Sequence, residues 1–121
     1  MLDYYEGYHT YYVYIITNKY RSTYYVGMTN NLGLRLQQHK KNITEGIKTF
    51  ASKYNLVFLV YYEKFTWVHE AIGREKEIKG WRREKKLKLI RAFNENFDFL
   101  NHHFDCQDEI PPTSTRGSEW Q

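Results

Sequence analysis

A tyrosine, an arginine and a histidine occur close together in segment 24–39, which reads YYVGMTNNLGLRLQQH. Tyr25 stands at the end of a strand-like run, and Gly27 with the asparagines that follow predicts a turn. Arg35 and His39 are four residues apart in a helical pattern, so their side chains share one helix face. A phenol, a guanidinium and an imidazole at a strand-to-helix corner suit a phosphate-binding site better than an apolar core.

A second tyrosine, Tyr14, stands eleven residues before Tyr25, on the preceding strand of a predicted hairpin. Two interpretations of this pair are open. Both rings could belong to an aromatic core, or one phenol could orient or deprotonate a water molecule. Because an unperturbed tyrosine has a pKa near 10, a base role at neutral pH requires a nearby cation or metal ion.

Glu75 falls within the apolar stripe of a predicted helix, where the spacing of three and four residues points it toward the sheet. The other members of the stripe are Val68, Ala71, Ile72 and Ile78. A carboxylate in that position needs a partner, which could be the backbone, Arg35 or a metal ion. Mg²⁺ commonly uses only one or two protein carboxylates, together with water and substrate phosphates.

Charge is distributed unevenly along the 121 residues. Residues 13–91 carry 17 Lys and Arg against 6 Asp and Glu, whereas residues 92–121 carry one Arg and six acids. A charge run alone commonly reflects a solvated surface. Its combination with 18% aromatic residues favours a polyanion-binding domain.

The single cysteine, Cys106, excludes an intramolecular disulfide and a CxxC metal site, and it is typical of a reducing compartment. No apolar run approaches the ~20 residues of a membrane helix. The first ten residues lack the basic start and apolar run of a signal peptide. We therefore expect a cytoplasmic protein that has no membrane span.

One domain over residues 11–100 accounts for the packing pattern, between a flexible lead-in of residues 1–10 and an acidic, flexible tail of residues 101–121. Three runs rich in β-branched and aromatic residues predict strands, at 11–17, 23–28 and 56–65. The first two form an antiparallel hairpin. The third run is apolar on both faces, so we expect it to lie centrally or to be covered on both sides.

Helical spacing predicts four helices, at about 32–41, 45–53, 67–79 and 82–94. Asn30 or Asn31 can cap the first helix, and Thr66 can cap the third. The inward apolar residues predicted for the first and last helices are Leu32, Leu34, Leu36, Leu87, Ile90 and Phe93.

The chain resembles the GIY-YIG nuclease superfamily, above all its small single-domain bacterial members, and it is similar to the nuclease module at the N-terminus of a bacterial excinuclease. The first motif of that family ends in a tyrosine that matches Tyr14, and the second matches Tyr25-Val26-Gly27. The family's helical arginine matches Arg35, and the position four residues further on matches His39. Its later glutamate matches Glu75, within REKEIKGWRREKK.

The resemblance implies an α+β fold with a three-stranded antiparallel sheet flanked by helices, in agreement with the predicted elements. It implies a metal-dependent endonuclease that hydrolyses phosphodiester bonds in DNA, with weak sequence specificity or direction by DNA structure, in repair or recombination. Glu75 would hold one Mg²⁺ or Mn²⁺, Tyr25 would activate the attacking water, and Arg35 would neutralise the transition state. Tyr14 and His39 would orient water and phosphate.

The resemblance also implies that basic residues contact backbone phosphates, with RNA left open as a substrate. These residues are Lys40, Lys76, Lys79, Arg82, Arg83, Lys85 and Lys86. Two alternatives remain, namely a nucleic-acid-binding module with the same fold and little or no cleavage, and a structural or protein-interaction domain. We expect a monomer or a weak homodimer.

Overall fold

A three-stranded antiparallel sheet forms the centre of the computed structural model, which describes residues 10–104. β1 (Tyr11–Thr17) lies between β2 (Tyr24–Thr29) and β3 (Phe58–Phe65), in the order β2-β1-β3. The helices of this range are α1 (Leu32–Thr44), α2 (Phe50–Lys53), α3 (Val68–Lys79) and α4 (Arg83–Phe93), followed by a 3-10 turn at Asn101–Phe104. The predicted α+β fold, three antiparallel strands flanked by helices, is confirmed. The predicted lead-in and most of the predicted tail, with Cys106, lie outside the described residues.

The sheet carries an apolar cluster on each face, because successive side chains of a strand point to opposite sides. Val13 and Ile15 of β1 pack beneath α3 and α4. Tyr14 and Ile16 point to the other face and pack with α1 and α2. Any site built from Tyr14 and α1 therefore lies on the face of the sheet opposite to the one that α4 covers.

β3 is an edge strand, so the expectation that the third apolar run lies centrally is wrong. The alternative expectation, cover on both faces, is confirmed, since residues 58–61 are at most 3% exposed. Ile15 pairs with Tyr61 and Ile16 with Leu59, which leaves Val60 without a register partner in a β-bulge. Because of the bulge, Val60 and Tyr61 both pack in the cluster beneath α3 and α4.

The chain that follows α4 covers the outer edge of β3. The Asn101 side chain accepts a hydrogen bond from the Leu59 N–H and donates one to the Val57 carbonyl, both at 2.8 Å. The Asn94 amide donates to the carbonyl of the bulged Val60 at 3.1 Å. Asn101 is fully buried, so the packed body continues past the predicted domain boundary at residue 100.

Helix ends agree with the predictions in part. Asn31, one of the two predicted caps, caps α1 and accepts a hydrogen bond from the Leu34 N–H at 3.0 Å. The prediction that Thr66 caps α3 is wrong, because Trp67 occupies that position without a side-chain hydrogen bond. No helix within residues 10–104 has the length and apolar character that crossing a membrane requires.

Several apolar residues that were expected to face inward are 39–60% exposed, namely Leu34, Val68, Ile72 and Phe93. Of the stripe on α3, Ala71 and Ile78 are buried, so this helix touches the sheet along a narrow line. On α1, the buried Leu32 and Leu36 are four residues apart, and Leu34 lies between them on the outer side.

Candidate active site

Tyr14 lies directly opposite Gly27 in the ladder between β1 and β2. Its buried ring covers the glycine so closely that a Cβ at Gly27 would lie 2.5 Å from the Tyr14 hydroxyl oxygen and 2.6 Å from Cζ. Only a residue without a side chain fits beneath this ring. Gly27 therefore lets the phenol of Tyr14 lie across β2 and extend toward α1.

His39 of α1 is the hydrogen-bond partner of Tyr14, with 2.9 Å between the phenol oxygen and Nε2 in a buried contact. Burial raises the pKa of Tyr14 above its ordinary value, so this phenol keeps its proton at neutral pH. Burial, with a smaller effect of the Arg35 charge, lowers the pKa of His39 to about 4. The two groups form a neutral pair. When Nε2 of His39 carries the proton and donates to the phenol oxygen, the phenol is left to donate to a water or a phosphate; in the other tautomer the phenol donates to Nε2 and can only accept from a water.

Tyr25 lies beside this pair and is the more accessible of the two phenols. Its ring centroid is 6.3 Å from that of Tyr14 and 5.8 Å from that of His39. Tyr25 is half-buried, whereas Tyr14 is almost fully buried. Of the two phenols, Tyr25 is therefore the one that a water molecule from solvent can approach.

Glu75 reaches the same corner from α3, which packs beneath the opposite face of the sheet and also contacts the edge strand β2. The Glu75 carboxylate lies 3.2 Å from the Lys79 ammonium, one helical turn further on. That ammonium is 5.9 Å from the centroid of the Tyr25 ring. The structural partner of Glu75 is thus Lys79, rather than the backbone or Arg35, the two protein partners that the sequence suggested besides a metal ion.

Arg35, on α1, is the fifth member of the candidate catalytic cluster, whose other members are Tyr14, Tyr25, His39 and Glu75. Its positive charge favours the ionised form of Tyr14 and the negative charge of Glu75 disfavours it, so both charges act on the same buried phenol. Arg35 is half-buried and forms no ion pair with any residue between 10 and 104. A guanidinium without a carboxylate partner is suited to bind a phosphate in two hydrogen bonds.

The predicted phosphate-contacting cations divide between two regions of the protein. Lys40 follows His39 on α1, and Lys79 lies within the cluster itself. Exposed Lys76 lies on α3. The other four, Arg82, Arg83, Lys85 and Lys86, lie at the start of α4, which packs on the face opposite to Tyr14.

Two members of the α4 group are already in contact with aromatic rings. The Arg83 guanidinium lies 5.0 Å from the centroid of Tyr24, and the Lys85 ammonium lies 4.4 Å from that of Trp81. Sequence reasoning placed Lys79 among the surface cations and missed its contact with Glu75. The spacing of four residues on one helix was the signal that could have revealed it.

A divalent metal ion has one protein carboxylate available in this cluster, that of Glu75. Within residues 10–104, no three His, Cys, Asp or Glu side chains converge on a common point. A single half-buried carboxylate fits an ion of the Mg²⁺ type, which keeps several waters and binds substrate phosphate oxygens. Binding at Glu75 would require the Lys79 ammonium to move aside.

Known proteins resemble this chain over most of the described range. The family model described as "GIY-YIG catalytic domain" matches residues 10–88. A UPF0213 protein of Staphylococcus haemolyticus is 42% identical over 79 residues, which cover 65% of this chain and 92% of the relative. A UPF0213 protein of Staphylococcus aureus is 36% identical over 67 residues, 55% of this chain and 78% of the relative. Among solved structures, the UPF0213 protein BH0048 from Bacillus halodurans, determined by solution NMR, is 29% identical in sequence to this chain. The match covers 69% of this chain and 84% of the BH0048 chain, with a TM-score of 0.43.

Proposed function

Because the chain belongs to the GIY-YIG catalytic domain family, we propose that it is an endonuclease that hydrolyses phosphodiester bonds in DNA with the help of Mg²⁺ or Mn²⁺. The proposal rests on one observation above all. A buried neutral pair, an accessible phenol and the guanidinium of Arg35 meet a half-buried carboxylate at the corner between β1, β2, α1 and α3. These groups can together orient a water, bind a phosphate and hold a divalent cation, which supports phosphodiester hydrolysis.

Each side chain of the cluster has a role that follows from its environment. Arg35 binds the scissile phosphate and neutralises the charge that develops as water adds to phosphorus. Tyr25 orients the attacking water by a hydrogen bond and relays its proton, since the phenol oxygen accepts the proton of the water as the phenol's own proton passes to solvent. Tyr14 keeps its own proton, so it is better suited to donate a hydrogen bond, and His39 fixes the direction of that bond. A divalent cation held by Glu75 would supply positive charge beside the leaving oxygen.

The basic residues outside the cluster suggest how the substrate is held. Cations on α3 and α4 suit contacts with backbone phosphates, which carry no sequence information, so we propose weak sequence specificity and a strong dependence on salt. We further propose a cytoplasmic enzyme of repair or recombination that acts on DNA structure as a monomer or a weak homodimer.

One observation favours a second candidate function, a nucleic-acid-binding module without cleavage. The Glu75–Lys79 ion pair fills the position where a divalent cation would bind. If this ion pair stays intact when DNA binds, no metal ion can bind Glu75, and the domain would bind DNA without cleaving it.

A cleavage assay with Mg²⁺ or Mn²⁺ on single-stranded, nicked, flapped and branched DNA tests the proposal. We expect the wild type to cut at least one substrate, and Glu75→Gln to reduce the rate by at least about 100-fold with DNA binding retained. Glu70→Gln is the matched control, because Glu70 is an exposed acid on the same helix. Binding without cleavage by the wild type would support the second candidate. Equal activity of wild type and Glu75→Gln would refute the proposed site.

A further inference from the structure

We propose that α2 and the loop before it form a stacking platform for unpaired nucleobases, so that the DNA strand entering the active site is single-stranded or locally unpaired. This inference rests on the proposed function and names its substrate class. It comes from aromatic rings and lysines that the catalytic cluster does not use.

Phe50 and Tyr54 continue the rings of the active site toward solvent. The centroids of Tyr25 and Phe50 are 6.4 Å apart, and those of Phe50 and Tyr54 are 4.9 Å apart. With His39 on the inner side of Tyr25, four rings form a row from the buried pair to the surface. Phe50 is 51% exposed and Tyr54 is 39% exposed, so the outer rings present surface to a ligand.

The local backbone holds these two rings outward. Thr49 and Ser52 form a reciprocal capping box at the start of α2, with hydrogen bonds of 2.9 and 3.0 Å. Ala51, between the two aromatic positions, is buried in the cluster beneath α1 and anchors the turn to the core. The exposure of Phe50 and Tyr54 therefore follows from how the turn is fixed to the core.

Positive charge surrounds the rings. Segment 40–55 carries four lysines and one glutamate, and that glutamate, Glu45, lies 3.8 Å from Lys41. The Lys53 ammonium is 5.3 Å from the centroid of Tyr54, and Lys48 is exposed. A cleft of about 600 Å³ opens beside Phe50, with both of these lysines on its wall.

Aromatic rings combined with cations form the usual binding surface for single-stranded nucleic acid, where bases stack on the rings and phosphates meet the lysines. A protein partner would favour a surface poor in lysine, because lysine is depleted at protein–protein interfaces. In a duplex the faces of the bases are already stacked on one another. The platform therefore selects an unpaired strand whose scissile phosphate lies beside Tyr25 and whose neighbouring bases lie on Phe50 and Tyr54.

Fluorescence anisotropy in EDTA, where no cleavage occurs, can test the platform on the full chain with a labelled single-stranded oligonucleotide and the blunt duplex of the same sequence. We expect Phe50→Leu and Tyr54→Leu each to weaken single-strand binding by about 10-fold while duplex binding changes by less than about twofold. Phe50→Trp should retain the affinity, and its fluorescence should be quenched by the single strand. Tyr20→Leu is the matched control, since Tyr20 is an exposed aromatic beside a lysine on the β1–β2 turn.

Equal losses for single strand and duplex, or unchanged binding in both leucine variants, would overturn the platform. A change of oligomeric state in Phe50→Leu would also overturn it, because the rings would then belong to an interface between copies. The two proposals fail in different ways. If the wild type binds and cuts duplex DNA regardless of Phe50, the platform alone is refuted, whereas a wild type that binds and cuts no DNA refutes the proposed function as well.

Discussion

Replacing Gly27 by alanine would test whether the glycine of the second motif is there to admit the Tyr14 ring. The added Cβ would lie 2.5 Å from the phenol oxygen and 2.6 Å from Cζ. The Tyr14 ring cannot move away easily, because it is buried in the apolar cluster beneath α1 and its hydroxyl is hydrogen-bonded to His39. Overpacking of this kind costs about 1–3 kcal/mol. Loss of the buried hydrogen bond would add about 1 kcal/mol.

We therefore expect Gly27→Ala to lower the free energy of unfolding by about 2–4 kcal/mol, measured by urea denaturation. Nuclease activity should fall with it, and the pKa of His39, followed by NMR, should rise from about 4 toward its ordinary value as the strained packing opens and the imidazole becomes less buried.

Gly73→Ala is the control, since a Cβ at Gly73 in α3 meets nothing within 4 Å. That change should stabilise the helix by up to about 1 kcal/mol and leave activity intact. If the free energy of unfolding of Gly27→Ala lies within about 0.5 kcal/mol of the wild-type value and the pKa of His39 is unchanged, Gly27 is not needed to admit the Tyr14 ring.

Three further predictions concern separate parts of the protein. Because folding lowers the pKa of His39 from 6.5 to about 4, the unfolded chain binds the proton better. The contribution of His39 to the free energy of unfolding should therefore be fully present above pH 6.5, and it should fall by about 3 kcal/mol as the pH drops to 4. Urea denaturation of His39→Gln should show a free energy of unfolding that depends less on pH. The same pH dependence in wild type and variant would contradict this prediction. Asn101→Ala leaves the N–H of Leu59 in β3 and the carbonyl of Val57, just before β3, without partners, so it should lower the free energy of unfolding by about 2–3 kcal/mol, measured by thermal unfolding. Asn18→Ala, in the exposed hairpin turn, should lower it by less than about 1 kcal/mol. Lys79→Met removes the ammonium that competes with a metal ion for the Glu75 carboxylate, so it should lower the metal concentration at half-maximal activity by about threefold. Lys76→Met is the control. If both variants need the same metal concentration, Lys79 does not compete with the metal ion.

Features of the site that depend on local periodicity were predictable from the sequence. Arg35 and His39 share a helix face because they are four residues apart, and Tyr14 and Tyr25 lie on paired strands because a short turn joins them. The direction of Glu75 also followed from helical spacing. The catalytic roles of these residues stay predictions that the experiments above can test.

Features that depend on contacts between distant segments could not be predicted in the same way. The apolar character of β3 shows that both of its faces are covered, but it does not show which strands are its neighbours. Phe50 comes 25 residues after Tyr25, and no periodicity relates the two rings. The exposure of Val68 and Ile72 depends on how narrowly α3 meets the sheet, which apolar spacing alone does not reveal.

The asparagine contacts on β3 have a consequence for self-association. An uncovered edge strand presents free N–H and C=O groups on which another chain can pair, and this is a common route to aggregation. Here Asn94 and Asn101 occupy those groups over the most apolar half of the strand. The other half carries the exposed Lys64, whose charge opposes strand addition. The segment after α4 thus protects an apolar edge from the edges of neighbouring molecules, and a chain shortened to the end of α4 would lose that protection.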